Sequence, residues 1–278
     1  MTDTAIPLAG VVGTPIGHSL SPRLHGHWLK RYAINGHYVP INLAQDKFEA
    51  GLRALPMLGF RGVNITIPYK EKVLMLADVI TDRAALIGAA NTITFRRDGK
   101  VQADNTDGYG FIANIRQQVP DWQASAGPAL VLGAGGASRA VISALMGEGV
   151  PEIVLTNRTR NRADMLREHF GARIRVIDWS AAAGMLGDMA VLVNTTSLGM
   201  TGQPALHLSL DRIRAGTLVT DIVYAPLDTE LLLAARAKGC RVVDGLGMLL
   251  HQAVPGFENW FRRRPEVDDD LRRAVLQP

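Results

Sequence analysis

Cysteine is nearly absent from this 278-residue chain, and long apolar runs are missing. The single cysteine, Cys240, excludes an intrachain disulfide, which fits a reducing compartment. No apolar run approaches the ~20 residues of a membrane-spanning helix, and Met1–Thr4 shows no basic-then-apolar leader pattern. These absences argue against a disulfide-stapled scaffold and a helical membrane protein, and they predict a cytoplasmic protein.

Charge is moderate in amount and spread along the chain. Charged residues make up 20% and hydrophobic residues 47%, which is typical of a globular protein, and the length predicts two domains or one large one. The net charge of +4 includes one tight basic cluster, Arg262–Arg264, but Asp268–Asp270 follow it and no aromatic residues interleave with it. The sequence therefore predicts no nucleic-acid partner.

Metal-ligand patterns are also missing. His18, His25 and His27 lie close together in the sequence, but their spacing fits no usual zinc pattern and Cys240 is far away. We expect no metal site.

Residues 62–70 (Gly-Val-Asn-Ile-Thr-Ile-Pro-Tyr-Lys) are the most informative stretch. Apolar residues alternate with polar ones, which predicts a strand through Ile67, and a helix is predicted from Tyr69 to Ala77. Lys70 would then lie near a helix N-terminus, where the macrodipole disfavours a cation by about 0.3–1 kcal/mol. Lys70 is therefore a candidate proton carrier, with a solvated surface lysine as the alternative.

The segment before this stretch predicts an anion-binding helix. A strand over 6–12 and a turn lead to a helix that extends to about Ile34, with Ser21 as its N-cap and Pro22 at its first position. Ser19, Ser21 and the free backbone N–H groups could hold an anion. The alternative is that Ser21 only caps its own helix.

The rest of the first half alternates strands with helices, which predicts a mainly parallel sheet. We expect a strand over 37–43, helices over 46–57 and 82–90, and a hairpin of strands 91–96 and 100–104 around Asp98-Gly99. Asp107 would open a helix that extends to about Gln118, where capping is the alternative to a chemical role.

A glycine-rich turn follows a plausible linker at 120–128. The apolar strand 129–132 leads into Gly133-Ala-Gly-Gly-Ala-Ser138 and a helix to about Met146, an arrangement that suits a diphosphate, although Ser138 replaces the third glycine of the usual fingerprint. The next strand, 152–156, ends where the ribose-binding residue of such folds is found.

Arginine, and no acidic residue, occupies that position. Arg158 follows this strand and Arg162 lies one turn later. An acid would bind a ribose 2′-hydroxyl, whereas arginine suits a 2′-phosphate, so the sequence favours NADP(H) over NAD(H). Solvated arginines at the start of a surface helix are the alternative.

The remaining pattern is that of a Rossmann-type unit. We expect strands over 173–177, 190–194, 217–223 and 241–243, and helices over 160–170, 228–238, 246–261 and 268–277.

Together the motifs resemble the shikimate dehydrogenase family over nearly the whole chain. They occur in the family's order: Gly13-Thr-Pro-Ile-Gly-His-Ser-Leu-Ser-Pro22, Asn64-Ile-Thr-Ile-Pro-Tyr-Lys70, Gly88-Ala-Ala-Asn-Thr92, Asn105-Thr-Asp-Gly108, Gly133–Ser138, Asn157-Arg-Thr159, Asn194–Met200 and Asp244-Gly-Leu-Gly-Met248. Thr14 departs from the Asn that many members carry.

The resemblance implies an α/β fold with two domains. An N-terminal α/β catalytic domain (1–106), completed by C-terminal helices (247–278), would bind substrate. A Rossmann-type NADP-binding domain (107–246) would be inserted between these parts, with the active site in the cleft.

The resemblance also assigns roles to residues. Lys70 and Asp107 would be catalytic. The substrate-binding residues would be Ser19, Ser21, Thr66, Lys70, Asn91, Asp107, Tyr224 and Gln252. The cofactor-binding residues would be Asp82, Gly133, Ala134, Gly135, Gly136, Ala137, Asn157, Arg158, Thr159, Arg162, Ile222 and Gly245.

The implied activity is reversible NADP-dependent oxidation of shikimate to 3-dehydroshikimate, in aromatic amino-acid biosynthesis. A quinate/shikimate dehydrogenase with broader substrate choice or NAD use is the close alternative. A catalytically silent NADP(H)-binding sensor is the alternative from another class. The expected partner is the small-molecule substrate. A homodimer with a second copy of the chain is compatible with the resemblance.

Overall fold

The computed structural model describes residues 6–277, so Met1–Thr4, where we found no leader pattern, lies outside the described range. None of the helices within that range combines the length and apolar character needed to cross a membrane.

The strands are numbered in chain order. They are β1 (Leu8–Gly13), β2 (His37–Asn42), β3 (Phe60–Ile65), β4 (Val79–Ile80), β5 (Thr92–Phe95), β6 (Val101–Asp104), β7 (Ala129–Leu132), β8 (Ile153–Thr156), β9 (Ile174–Val176), β10 (Val191–Asn194), β11 (Leu218–Asp221) and β12 (Arg241–Val243).

The α-helices are numbered in the same way, and short 3-10 turns connect several of them. They are α1 (Ser21–Arg31), α2 (Phe48–Ala54), α3 (Asp82–Ile87), α4 (Asp107–Gln118), α5 (Gly136–Gly147), α6 (Arg160–Phe170), α7 (Ala182–Met185), α8 (Glu230–Ala237), α9 (Gly245–Phe261) and α10 (Asp269–Leu276).

The chain forms two compact units. Unit 1 comprises Met1–Thr106 and Leu250–Pro278, and unit 2 comprises Asp107–Leu249, so the second division falls inside α9. Each unit contains one six-stranded sheet. The α/β class predicted from the alternating pattern is confirmed, whereas the functional assignment of the parts 1–106, 107–246 and 247–278 stays a prediction.

The sheet of unit 1 is mixed, with the order β2-β1-β3-β5-β6-β4. β5 alone runs antiparallel to its neighbours β3 and β6, as the predicted hairpin requires. Position 62 on β3 can hold only glycine. A Cβ there would lie 2.1 Å from Nε1 of Trp260 and 2.2 Å from the carbonyl oxygen of Ile93. The Trp260 Nε1–H donates to that same carbonyl at 3.1 Å, so α9 packs directly on the sheet.

The sheet of unit 2 is wholly parallel, with the order β12-β11-β10-β7-β8-β9. Successive side chains of the central strand β7 point to opposite faces of the sheet and pack in different apolar clusters. Val131 belongs to one buried cluster, and Leu130 and Leu132 belong to the other. Such burial on both faces explains why 129–132 is a continuous apolar run. This is the predicted Rossmann-type arrangement.

The prediction for residues 66–77 is wrong in two respects. β3 ends at Ile65, and Ile67 is 73% exposed, outside the strand. The predicted helix from Tyr69 to Ala77 is only a 3-10 helix, Lys72–Leu76. The reason is tertiary: the Tyr69 ring stacks on Phe48 at 4.0 Å, which draws the chain into the core where a helix would have begun.

His25 is fully buried on α1, and neither of its ring nitrogens has a hydrogen-bond partner among the described residues. Burial lowers the pKa of His25 to about 3, and nearby Asn64 opposes only part of that shift. The unfolded chain takes up this proton below pH ~6.5 and the native state does not, so His25 makes stability fall as pH falls below that value.

We therefore expect the difference in unfolding free energy between the wild type and His25→Phe to change by about 2 kcal/mol between pH 7 and pH 5, with the wild type losing more. Urea unfolding at the two pH values measures it. His251, whose pKa burial lowers to about 4, is present in both proteins and cancels in the difference. A difference independent of pH would show that His25 takes up a proton in the native state over this range.

Candidate active site

One edge of the unit 1 sheet carries most of the predicted substrate-binding residues. Because β1 and β3 are parallel and β5 is antiparallel, the carboxyl ends of β1, β3 and β6 meet the amino end of β5 at this edge. Ser19 follows β1, Thr66 and Lys70 follow β3, and Asn91 precedes β5. The Thr66 N–H donates to the carbonyl of Val12 at 2.9 Å, which fixes the end of β3 against β1.

Lys70 lies in a turn, before the short 3-10 helix rather than at the start of an α-helix. The helix-dipole argument for Lys70 is therefore wrong, because the following element is a single short turn. Its carbonyl accepts a hydrogen bond from the Ala90 N–H at 2.7 Å, which holds its backbone beside the segment that carries Asn91. Lys70 is half-buried, which does not fit the alternative of a fully solvated surface lysine.

The two serines at the start of α1 differ in burial. Ser21 is buried inside the first turn, and Leu20, without a side-chain cap, occupies the N-cap position, so the predicted cap at Ser21 is wrong. The Ser19 hydroxyl oxygen instead accepts the Ser21 N–H at 3.3 Å. A cavity of about 470 Å³ borders Ser19, lined also by His18 and Arg23.

Asn91 and Gln252 are brought together. The Asn91 amide donates to Gln252 Oε1 at 3.1 Å and to the Thr106 hydroxyl at 3.0 Å, and the Thr106 hydroxyl donates to the Gln252 carbonyl at 2.8 Å. All three residues are buried. The network fixes the orientation of both amides, which makes them rigid hydrogen-bonding groups.

Asp107 is the first residue of α4 and belongs to unit 2. Only 6% of the residue is exposed. A buried carboxylate requires polar or cationic partners, which makes a solvated capping residue a poor description of Asp107.

The glycine-rich turn of unit 2 lies at the switch point of its sheet, where β7 separates β10 from β8. Gly133 has φ +107°, and a Cβ there would lie 2.8 Å from the Thr195 hydroxyl oxygen. A Cβ on Gly135 or Gly136 would meet nothing within 4 Å, and α5 begins there without a side-chain cap. Open space beside free helix N–H groups fits a diphosphate.

The segment after β8 is fixed to this turn. Asn157 accepts the Ala134 N–H at 3.1 Å and donates to the Thr159 carbonyl at 2.8 Å. Arg158 and Arg162 are exposed, and neither forms an ion pair with another residue of the described range 6–277. Two unpaired guanidinium groups at the end of β8 fit a 2′-phosphate.

Ile222 and Gly245 are also in contact. A Cβ on Gly245 would lie 2.4 Å from the carbonyl carbon and oxygen of Ile222, so only glycine lets the two backbones approach. Asp221 fixes the same segment by accepting the Val223 N–H at 3.0 Å. Tyr224 follows, half-buried, and burial raises its pKa.

The sequence analysis did not identify Asp221, a buried polar residue that fixes the segment carrying Ile222 and Tyr224. Asp221 also accepts from Asn194 at 3.0 Å and from the Thr229 hydroxyl at 2.8 Å, and burial is the main cause that raises its pKa. The position of Asp221 at the carboxyl end of a strand was the sequence feature that could have identified it.

Asp82, predicted as a cofactor contact, is exposed at the first position of α3. Within residues 6–277, no cluster of three or more His, Cys, Asp or Glu side chains could hold a metal ion.

Comparison with known proteins places these features in one family. Residues 11–93 match the family profile described as shikimate dehydrogenase substrate binding domain, and residues 115–204 match shikimate / quinate 5-dehydrogenase. The chain is 62% identical over 276 residues to a shikimate dehydrogenase (NADP(+)) of Jannaschia sp. (strain CCS1), with 99% of each chain covered.

Solved structures agree with that match. Shikimate 5-dehydrogenase from Thermus thermophilus, in complex with NADP(H) and shikimate, has a TM-score of 0.86 at 34% identity, with 98% of each chain covered. Quinate dehydrogenase from Corynebacterium glutamicum, in complex with NAD, has a TM-score of 0.90 at 30% identity, covering 98% of this chain and 99% of that one. By sequence, by fold and by coverage of nearly its whole length, the chain belongs to the shikimate dehydrogenase family.

Proposed function

We propose that this protein catalyses the reversible oxidation of shikimate by NADP⁺ to 3-dehydroshikimate, NADPH and a proton, with reduction as the biosynthetic direction. The observation that carries the proposal is the 62% identity, over 99% of both chains, to a shikimate dehydrogenase (NADP(+)). The polar residues at the edge of the unit 1 sheet and the open glycine turn of unit 2 support it.

The nicotinamide, when bound, accepts or returns the hydride, so the chain itself must hold the substrate and move one proton. Lys70 and Asp107 are the proposed pair for that proton. In reduction the Lys70 ammonium donates a proton to the carbonyl oxygen, and in oxidation the neutral amine accepts it from the hydroxyl. Asp107 orients the amine and a neighbouring substrate hydroxyl.

The substrate carboxylate is assigned to Ser19 and Ser21, with Tyr224 nearby, and the ring hydroxyls to Thr66, Asn91 and Gln252. The rigid pairing of Asn91 with Gln252 supports this assignment, because fixed amides bind hydroxyls without losing further side-chain freedom.

NADP rather than NAD is the proposed cofactor. The residues present fit its phosphates: open space faces Gly135 and Gly136, and Arg158 and Arg162 are free of ion pairs in the described range. Asn157 and Thr159 shape the segment that carries them. Ile222 and Gly245 are assigned to the nicotinamide side and Asp82 to a cofactor contact.

The competing function is quinate oxidation with NAD, as named for the Corynebacterium glutamicum relative. Incubating the purified protein with shikimate or quinate, each with NADP⁺ or NAD⁺, and following the absorbance of reduced nicotinamide tests the choice. We expect the highest kcat/KM for shikimate with NADP⁺. Preference for quinate with NAD⁺ would replace the proposal, and no turnover in any combination would favour a silent NADP(H)-binding sensor.

A cytoplasmic location and a homodimer are further parts of the proposal. Light scattering on the purified protein distinguishes a dimer from the 30.1 kDa monomer.

A further inference from the structure

Asp221 is a buried carboxylate that the proposed reaction does not use. It is the last residue of β11, and 0% of it is exposed. It forms no ion pair with another residue of the described range 6–277. Burying a charge without an opposite charge beside it is costly, so a chain rarely does so unless other groups compensate for it.

Three neutral donors stabilise the ionised form of Asp221. Its Oδ1 accepts the Val223 N–H at 3.0 Å and the Asn194 amide at 3.0 Å, and its Oδ2 accepts the Thr229 hydroxyl at 2.8 Å. The Asn194 amide must face Asp221 with its nitrogen, because its oxygen already accepts the Thr196 N–H at 3.0 Å. Burial raises the pKa of Asp221, and these hydrogen bonds to the charged form oppose that effect.

The carboxylate lies beside the segment assigned to the nicotinamide. Ile222 follows Asp221 directly, and a Cβ on Gly245 would meet the Ile222 backbone at 2.4 Å. Asn194 ends β10, the neighbour of β7 at the switch point, so its hydrogen bond to Asp221 joins the carboxyl ends of β10 and β11. Ligands of such sheets bind outside these ends. Asp221 is thus a fixed negative charge next to the proposed nicotinamide segment.

The two states of the cofactor differ in charge at the nicotinamide. The ring of NADP⁺ is a cation, and the hydride that it accepts makes it neutral. We propose that the negative charge of Asp221 favours the oxidised cofactor over the reduced one, and so makes bound NADPH a stronger hydride donor. The inference rests on the cofactor part of the proposed function, and it fits the biosynthetic direction, in which NADPH reduces the substrate.

The test is Asp221→Asn, which removes the charge at nearly constant shape. The amide oxygen can keep the hydrogen bonds from Val223 and Asn194, and the amide nitrogen can donate to Thr229, whose hydroxyl accepts as well as donates. We expect the Kd for NADP⁺, divided by the Kd for NADPH, to rise about 5- to 30-fold, as one unit charge near a ligand gives at an effective dielectric constant of about 20. Fluorescence titration with each cofactor measures both constants without turnover.

Asp228→Asn is the matched control. It removes the same charge from the connection between β11 and α8, but Asp228 is exposed and paired with Arg236 at 3.1 Å. We expect the ratio of the two constants to change less than about twofold, because solvent screens an exposed charge. Asp221→Ser is a second neutral replacement, for which we expect the same rise as for Asp221→Asn, so the test does not depend on how one side chain packs.

An unchanged ratio in both neutral variants would overturn the inference and leave the proposed function in place, even if both cofactors bind more weakly. Such a result would make Asp221 a purely structural residue. A wild type that binds neither cofactor would overturn the proposed function and this inference with it. If the wild type binds both cofactors but does not oxidise shikimate, the proposed reaction fails, and the ratio still decides the inference.

Discussion

Lys70→Ala lowers kcat by about 10²–10⁴ and leaves the KM for NADP⁺ nearly unchanged, if Lys70 carries the proton. The expectation follows from the division of tasks in the proposed reaction: hydride transfer needs a proton to leave or reach the same oxygen, and water replaces a positioned amine poorly. Steady-state kinetics with shikimate as the varied substrate, at saturating NADP⁺, measure the effect.

Lys72→Ala is the matched control for this variant. Lys72 is two residues further along, and its exposed ammonium lies 5.8 Å from the centre of the Phe48 ring and 3.5 Å from the Gln45 carbonyl oxygen. We expect near-normal kcat, since a lysine on the surface of the same segment takes no part in the reaction. Near-normal turnover of Lys70→Ala itself would remove Lys70 from the chemistry.

Arg158→Ala raises the KM for NADP⁺ by about 10- to 100-fold and changes the KM for NAD⁺ by less than about twofold. The two cofactors differ by the 2′-phosphate, so a residue that binds only this group affects one of them. Arg158 suits the task because it follows β8 and forms no ion pair within residues 6–277. Kinetics with both cofactors at saturating shikimate provide the comparison.

Arg160→Ala controls for the loss of positive charge from the same surface. Its guanidinium is already paired, at 2.5 Å with Asp178 and at 3.7 Å with Asp164. We expect little change for either cofactor. Equal weakening of NADP⁺ and NAD⁺ by Arg158→Ala would refute a 2′-phosphate role and leave a general electrostatic one.

The local sequence pattern was sufficient to predict the buried central strands and the β-hairpin. The apolar runs at β7, β8 and β10 are buried central strands, and the Asp98-Gly99 signal marks the hairpin between β5 and β6. Gly133 was also interpretable, because its φ of +107° lies in the region that few other residues adopt.

The errors came from contacts between residues far apart in the sequence. The helix predicted after β3 fails because Tyr69 packs on Phe48, and the cap predicted at Ser21 fails because Ser21 is already buried inside the first turn of α1. No periodicity in 37–43 distinguishes Tyr38 from an ordinary strand residue. Its hydrogen bond to Asn64 and its stacking on His25 join residues that only the fold brings together.

The most direct test of the account is the kcat of three variants, Lys70→Ala, Asp107→Asn and the protein that carries both substitutions. If the amine and the carboxylate handle one proton as a unit, each single change costs about 10²–10⁴ and the pair costs no more than the worse of the two. Losses that multiply in the double variant, or normal turnover in either single one, would contradict it.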